Sequence, residues 1–175
     1  LSPNGDPWYD RSMLTYASPS SWSFPVTLDA VVPGGSPTLK VDAWGVTNWD
    51  GSAPDHHLRV SFNGTQVADE RFDGLTAKSL TAALPAGAIV EGANTLALAL
   101  PGDTGFDFDM INLDRFSVTY PRRFVATDGR LDFSAAGDAF AVTGLPSASV
   151  VVYRFDGDAP VRMENVGVSK VGASY

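Results

Sequence analysis

The sequence predicts an all-β chain: a jelly-roll-like antiparallel β-sandwich with a small C-terminal β extension. Three observations carry this prediction. Apolar and polar residues alternate with period two in several short runs, as strands with one buried face require. The dipeptide Asn63-Gly64 separates two such runs and suits the two positive-φ positions of a type I′ hairpin turn. Gly and Pro punctuate the chain at short intervals, and no helical period lasts beyond a turn or two, a pattern of sandwiches and barrels.

Trp22, Phe24, Val26 and Leu28 alternate with Ser23, Pro25, Thr27 and Asp29. Pro25 lacks the N–H a ladder needs, which places this strand at an edge or at a bulge. VPGGSP marks a turn, and TLKVDAW follows as a strand with Leu39, Val41 and Ala43 inward. TNWDGSAPD reads as a loop. HLRVSF sets Leu58, Val60 and Phe62 against His57, Arg59 and Ser61, and its return strand runs over Gln66–Phe72. KSLTAAL is one more strand. LPAGAIVEGAN reads as a loop or a short helical turn, with Gly92 and Asn94 as stop signals. TLALALP places Leu96, Leu98 and Leu100 on one face. FDFDMI and RFSVTY form two further strands. In the first, Asp107 and Asp109 oppose Phe106, Phe108 and Met110; in the second, Phe116, Val118 and Tyr120 fall together.

The texture changes near Pro121-Arg122-Arg123. We expect a sandwich over 1–120 and a small β extension over 121–175, free to pack on it. RLDFSA, AFAVTG and SVVVYRF read as short strands, and VRMENVGVSKV as a last one bulged at Gly167. The total is about ten strands.

The chain has 175 residues, 44% of them hydrophobic and 18% charged, enough for a folded core. Its net charge of −8 argues against nucleic acid and anionic membranes. No apolar run reaches the ~20 residues of a membrane span. With no cysteine, disulfides, thiolate zinc sites and a cysteine nucleophile are excluded from this chain. No signal-peptide pattern shows at Leu1. The abrupt LSPNGDPWYD and VGASY ends read as a mature or excised piece of a larger protein.

Four groups of residues invite a chemical reading. Asp103, Asp107, Asp109 and Asp114 fall in one loop and its flanks, with Asp6 and Asp10 near the start. Hard carboxylate oxygens suit a structural Ca²⁺ ion, although no EF-hand spacing is present. Asp114 shares parity with Phe116 and Val118, so it points toward the buried side and needs a cation or donors. His56 and His57 are adjacent on a strand and face opposite ways. They read as one packed and one solvated histidine. Trp49 sits beside Asp50 and Asp55 and offers an aromatic face for a sugar ring. Seventeen Asp and three Glu make some acidic pair inevitable, so an Asp-based hydrolase is a weak alternative. No G-x-S-x-G or Gly-rich phosphate loop supports it. NGT at 63–65 fits turn chemistry better than glycosylation.

Together WYDRSML, DHHLRVSFNGT, FDG, EGANTLALALPGDTG and LDRFSVTYPRRF resemble the β-sandwich region preceding the catalytic domain of gingipain-like bacterial cysteine peptidases. The likeness continues through DGRLDFSA and FAVTGLPSASVVVYRFDGDAPVRM. The sandwich is also similar to galactose-binding-like jelly rolls of carbohydrate-binding modules. The resemblance implies a non-catalytic accessory domain of a secreted or cell-surface bacterial peptidase. Its partners would be the adjacent peptidase domain of the same polypeptide and a surface glycan. The alternative is a carbohydrate-binding module in its own right. Nothing catalytic carries over, since the peptidases' Cys and His belong to a later domain. In the jelly rolls, an Asp at the start of the last strand is often near calcium, and Asp114 holds that position here.

Overall fold

A computed structural model describes residues 8–157, 159–170 and 172–175; Asp6 lies outside them. The chain divides into two compact units, Leu1–Arg122 and Arg123–Tyr175.

Among its described residues the first unit contains eight strands: β1 (Arg11–Tyr16), β2 (Ser20–Leu28), β3 (Thr38–Gly45), β4 (His56–Phe62), β5 (Thr65–Phe72), β6 (Ala77–Ala83), β7 (Gly92–Leu100) and β8 (Phe108–Thr119). They form two four-stranded antiparallel sheets, ordered β1-β8-β3-β6 and β2-β7-β4-β5. This is a β-sandwich of the jelly-roll type. Leu39, Val41, Leu58, Val60, Phe62, Leu96, Leu98, Leu100, Ile111 and Leu113 are each 1% exposed or less. They form one continuous core between the sheets. Phe24 of β2 and Phe116 of β8 meet across it, ring centroids 5.8 Å apart.

Several expectations hold. Pro25 lies on β2, an edge strand, where its missing N–H costs no ladder bond. Asn63 and Gly64 take φ of 47° and 80°, the positive pair a type I′ turn demands. Residues 85–91 form turns rather than a helix.

Other expectations need correction. β1 was not anticipated, because RSMLTY turns Met13 and Thr15 inward and leaves Leu14 and Tyr16 outside. FDFDMI and RFSVTY are not separate strands; most of both runs lies in the continuous β8. The register of β3 against β8 slips between Asp42 and Ala43, pairing Asp42 with Arg115 and Ala43 with Leu113. Asp114 is therefore the extra residue of a β-bulge, mid-strand, and not an inward carboxylate at a strand start. The bulge switches the inward parity. Before it Asp109, Ile111 and Leu113 are buried; after it the even-numbered Phe116 and Val118 pack against the core.

Opposite this bulge, Asp42 accepts hydrogen bonds from Ser79, Lys40 and Arg115 at 2.6, 2.9 and 3.1 Å. Burial works against its charge, yet these donors outweigh that cost and hold its carboxyl below the usual range.

In the second unit, the described strands are β9 (Tyr153–Asp156) and β10 (Ala159–Arg162), an antiparallel pair. RLDFSA and AFAVTG are not strands. Phe133 and Phe140 instead gather with Phe124, centroids 4.5–5.7 Å apart, and only isolated bridges form nearby. The expected last strand stops at Arg162. Asn165, at φ 57°, leaves the extended region.

Truncating a fully enclosed leucine removes its contacts and leaves a cavity, which costs about 2–5 kcal/mol. Leu98→Ala is expected to lose that much stability in urea unfolding. Ser23→Ala, on the exposed side of β2, is expected to stay within about 0.5 kcal/mol.

Candidate functional site

Three connections meet at one end of the sandwich: residues 46–55 between β3 and β4, 73–76 between β5 and β6, and 101–107 between β7 and β8. Buried polar groups there must find partners, because unpaired ones cost several times a net hydrogen bond. Asp55, fully buried, is one such group. Its Oδ1 accepts the Trp49 N–H and its Oδ2 the Gly74 N–H, both at 3.0 Å. Asp55 is thus a loop clamp and corrects its expected place beside a sugar.

The histidine pair corrects the reading of one packed and one solvated side chain. Both are buried. His56 points into the sandwich, where its Nδ1 lies 2.7 Å from Asp109 Oδ1 and its Nε2 lies 3.2 Å from the Gly74 carbonyl. Gly45 makes room for the ring, since a Cβ there would collide with it. His57 points to the outer side of β4. Its Nδ1 lies 2.6 Å from Asp103 Oδ1 and its Nε2 lies 2.5 Å from Asp69 Oδ1. Carboxylates and carbonyls only accept. All four ring nitrogens therefore satisfy their neighbours only as N–H donors, and each imidazole is doubly protonated when every contact is made.

Arg59 donates to Asp69 Oδ2 at 2.9 Å, and Arg71 reaches Asp103 Oδ2 at 3.0 Å. The result is an alternating chain, Arg59–Asp69–His57–Asp103–Arg71. The hydrogen bond from His57 is the main reason that Asp69 sits below the usual carboxylate range, and Arg59 adds to it. Asp103 is lowered for the same principal reason, with the His57 and Arg71 charges adding to it.

The four carboxylates expected to hold Ca²⁺ do not converge. Asp109 is bound to His56 and, through Oδ2, to the His57 backbone N–H at 3.0 Å. Asp103 is bound to His57, Asp107 is exposed, and Asp114 occupies the bulge. Among the described residues no three His, Asp or Glu side chains are grouped to hold a metal ion. These residues do not fit a calcium site, and the Asp cluster imagined for hydrolysis is likewise not assembled.

Trp49 is half-buried, and its indole N–H donates to the Phe108 carbonyl at 3.1 Å. Its ring lies nearly parallel to Phe106 at 5.7 Å and edge-on to Phe108 at 4.9 Å. Phe108 in turn meets Tyr16, 6.1 Å away, whose side chain is 65% exposed. Four aromatic rings thus form a row, Tyr16–Phe108–Trp49–Phe106, with the exposed Asp50 next to Trp49. The sequence reading found Trp49 and Asp50 but missed the other three rings. The outward turn of Phe108 follows from the bulge at Asp114.

No protein-family model matches the chain. No curated protein matches it. Similar solved structures include the CBM36-1 domain of a multidomain xylanase from the hindgut metagenome of Trinervitermes trinervoides. That likeness has 16% identity and a TM-score of 0.43, covering 62% of this chain and 77% of that one. A second is dimeric latent PorU from Porphyromonas gingivalis, at 15% identity and TM-score 0.44; it covers 69% of this chain and 13% of that one. A third is the EclA C-terminal domain, a sugar-binding protein, at 14% identity and TM-score 0.44, covering 67% and 87%. Among the described residues no helix is long and apolar enough to cross a membrane.

Carboxyls with depressed values stabilise the fold above their ordinary value of 3.8 and lose that contribution as pH falls through their lower folded values. Stability measured by urea unfolding between about pH 5 and pH 2 is expected to fall. The Asp69→Asn/Asp103→Asn double variant is expected to show a shallower fall over the same window.

Proposed function

We propose that the chain is a non-catalytic accessory domain that binds a glycan through its row of aromatic rings. The observation that carries this reading is the Tyr16–Phe108–Trp49–Phe106 row itself. Sugar rings present apolar C–H faces edged by hydroxyls, which suits aromatic surface with a polar neighbour such as Asp50. Contiguous apolar surface on a soluble fold marks an interaction site. The ionisable groups beside it support the same reading. His56, His57, Asp55, Asp69, Asp103 and Asp109 engage their polar atoms with one another, with backbone groups and with Arg59, Gln66 and Arg71.

The parent polypeptide we propose is a secreted or cell-surface gingipain-like peptidase, with the adjacent peptidase domain as partner. That part rests on the sequence motifs described above. The alternative, a carbohydrate-binding module acting in its own right, uses the same aromatic row. A catalytic domain encoded next to this chain separates the two.

Tyr16 is the residue to test, because it is mostly exposed and Trp49 is held by packing. Tyr16→Ala is expected to weaken retention on a cognate glycan by about tenfold, the effect of losing ~1–2 kcal/mol at an aromatic anchor. Its melting temperature should match the parent's. A glycan array that stays blank with the intact domain would contradict the glycan reading.

A further inference from the structure

His57 occupies an unusual position for a surface-side residue. It is 2% exposed, yet both of its carboxylate partners are open to water, with Asp69 and Asp103 side chains 40% and 45% exposed. The two carboxylates differ in what holds them. Asp69 belongs to β5, laddered to β4 through Arg59, and it also receives Arg59 and, at 3.3 Å, Gln66. Asp103 belongs to the 101–107 connection and, among the described residues, is held by contacts with His57 and Arg71.

That connection is fixed at both ends. Gly102, at φ +69°, lies so close to the Ser18 backbone that a Cβ would collide with it. At the other end the Phe108 carbonyl accepts the Trp49 indole N–H. Between these points Thr104 is buried and Phe106 stacks on Trp49. Asp103 ties this span to the body of the sheet through two ionic contacts, the buried His57 ring and the partly exposed Arg71 of β5.

From this geometry we infer that His57 is a proton-operated latch on the 101–107 connection, closed when the ring carries two protons and released when it carries one. A singly protonated imidazole has one N–H to offer and presents a lone pair at its other nitrogen. That lone pair would face a carboxylate oxygen at 2.5–2.6 Å, a repulsive contact. The strand-borne Asp69 keeps the remaining N–H, and Asp103 swings away with the connection. Phe106 then leaves the face of Trp49. The charged groups facing His57 are Asp69 and Arg71 from β5, Arg59 from β4, Asp103 from the connection, and Asp109 of β8 at its backbone N–H. Proton loss changes this set from charge-alternating to one with adjacent unbridged carboxylates.

The consequence for ligand binding rests on the glycan reading above; the latch itself does not. The test is therefore made without ligand. Ring ¹⁵N resonances of His57 and the indole N–H resonance of Trp49 are followed by NMR from about pH 5 to pH 9. The latch predicts one shared midpoint for both signals, with faster amide exchange at 103–106 above it. Asp103→Asn supplies the second arm. An asparagine amide can donate to a singly protonated ring, so the Trp49 signal should stop following His57. A His57 that titrates while Trp49 and the 103–106 amides stay unchanged would overturn the proposal. So would a ring whose protonation does not change across the range. Coupled signals in a domain that binds no glycan would leave the latch standing and remove the glycan reading alone.

Discussion

A buried, hydrogen-bonded histidine–aspartate pair joins the two sheets at the end where the loops gather. His56 comes from β4 and Asp109 from β8, and their side chains are 0% and 1% exposed. Neither partner can be left alone there: a buried polar group stripped of its hydrogen-bond partner costs about 1–3 kcal/mol, and more when it is charged. The pair therefore fixes where β4 lies against β8. Asp109 fixes the backbone too, through the His57 N–H. The bulge at Asp114 is what allows it. Without the extra residue, the parity that buries Phe116 and Val118 would turn Asp109 outward and Phe108 and Met110 into the core.

The surface follows from that same slip in parity. Phe108 faces outward because Asp109 faces inward, and it joins Tyr16 and Trp49 in the aromatic row. The second histidine works on the other side of β4. Its two carboxylates tie β5 and the 101–107 connection to the strand, and the connection brings Phe106 to Trp49. Two adjacent residues thus organise the interior and the exterior of one loop end, each by giving ring N–H groups to carboxylates and carbonyls. Asp55 completes the arrangement by holding the 46–55 and 73–76 connections together.

Much of the sandwich was legible because its cues are local. Alternation at Trp22–Leu28 and Leu58–Phe62, the Asn63-Gly64 turn and Pro25 at an edge each depend on residues close in sequence. β1 was not legible: RSMLTY places an apolar residue on each face, so alternation gives no direction. The candidate site was legible only at Trp49 and Asp50. The partners of the histidines lie 53 residues away for His56–Asp109 and 46 for His57–Asp103, and no spacing rule links them. Asp114 misled because parity was carried through a bulge that nothing in INLDRF announces. In the second unit, the phenylalanines of RLDFSA and AFAVTG have strand-like neighbours, yet they cluster with Phe124 and make no ladder.

The central claim is that His56 and Asp109 stabilise the sandwich as a unit. A double-mutant cycle on the free energy of urea unfolding, with His56→Ala, Asp109→Ala and the double variant, measures that directly. The pair predicts a coupling of about 1 kcal/mol or more, the double variant being far less destabilised than the sum of the single ones. Strictly additive losses would contradict it.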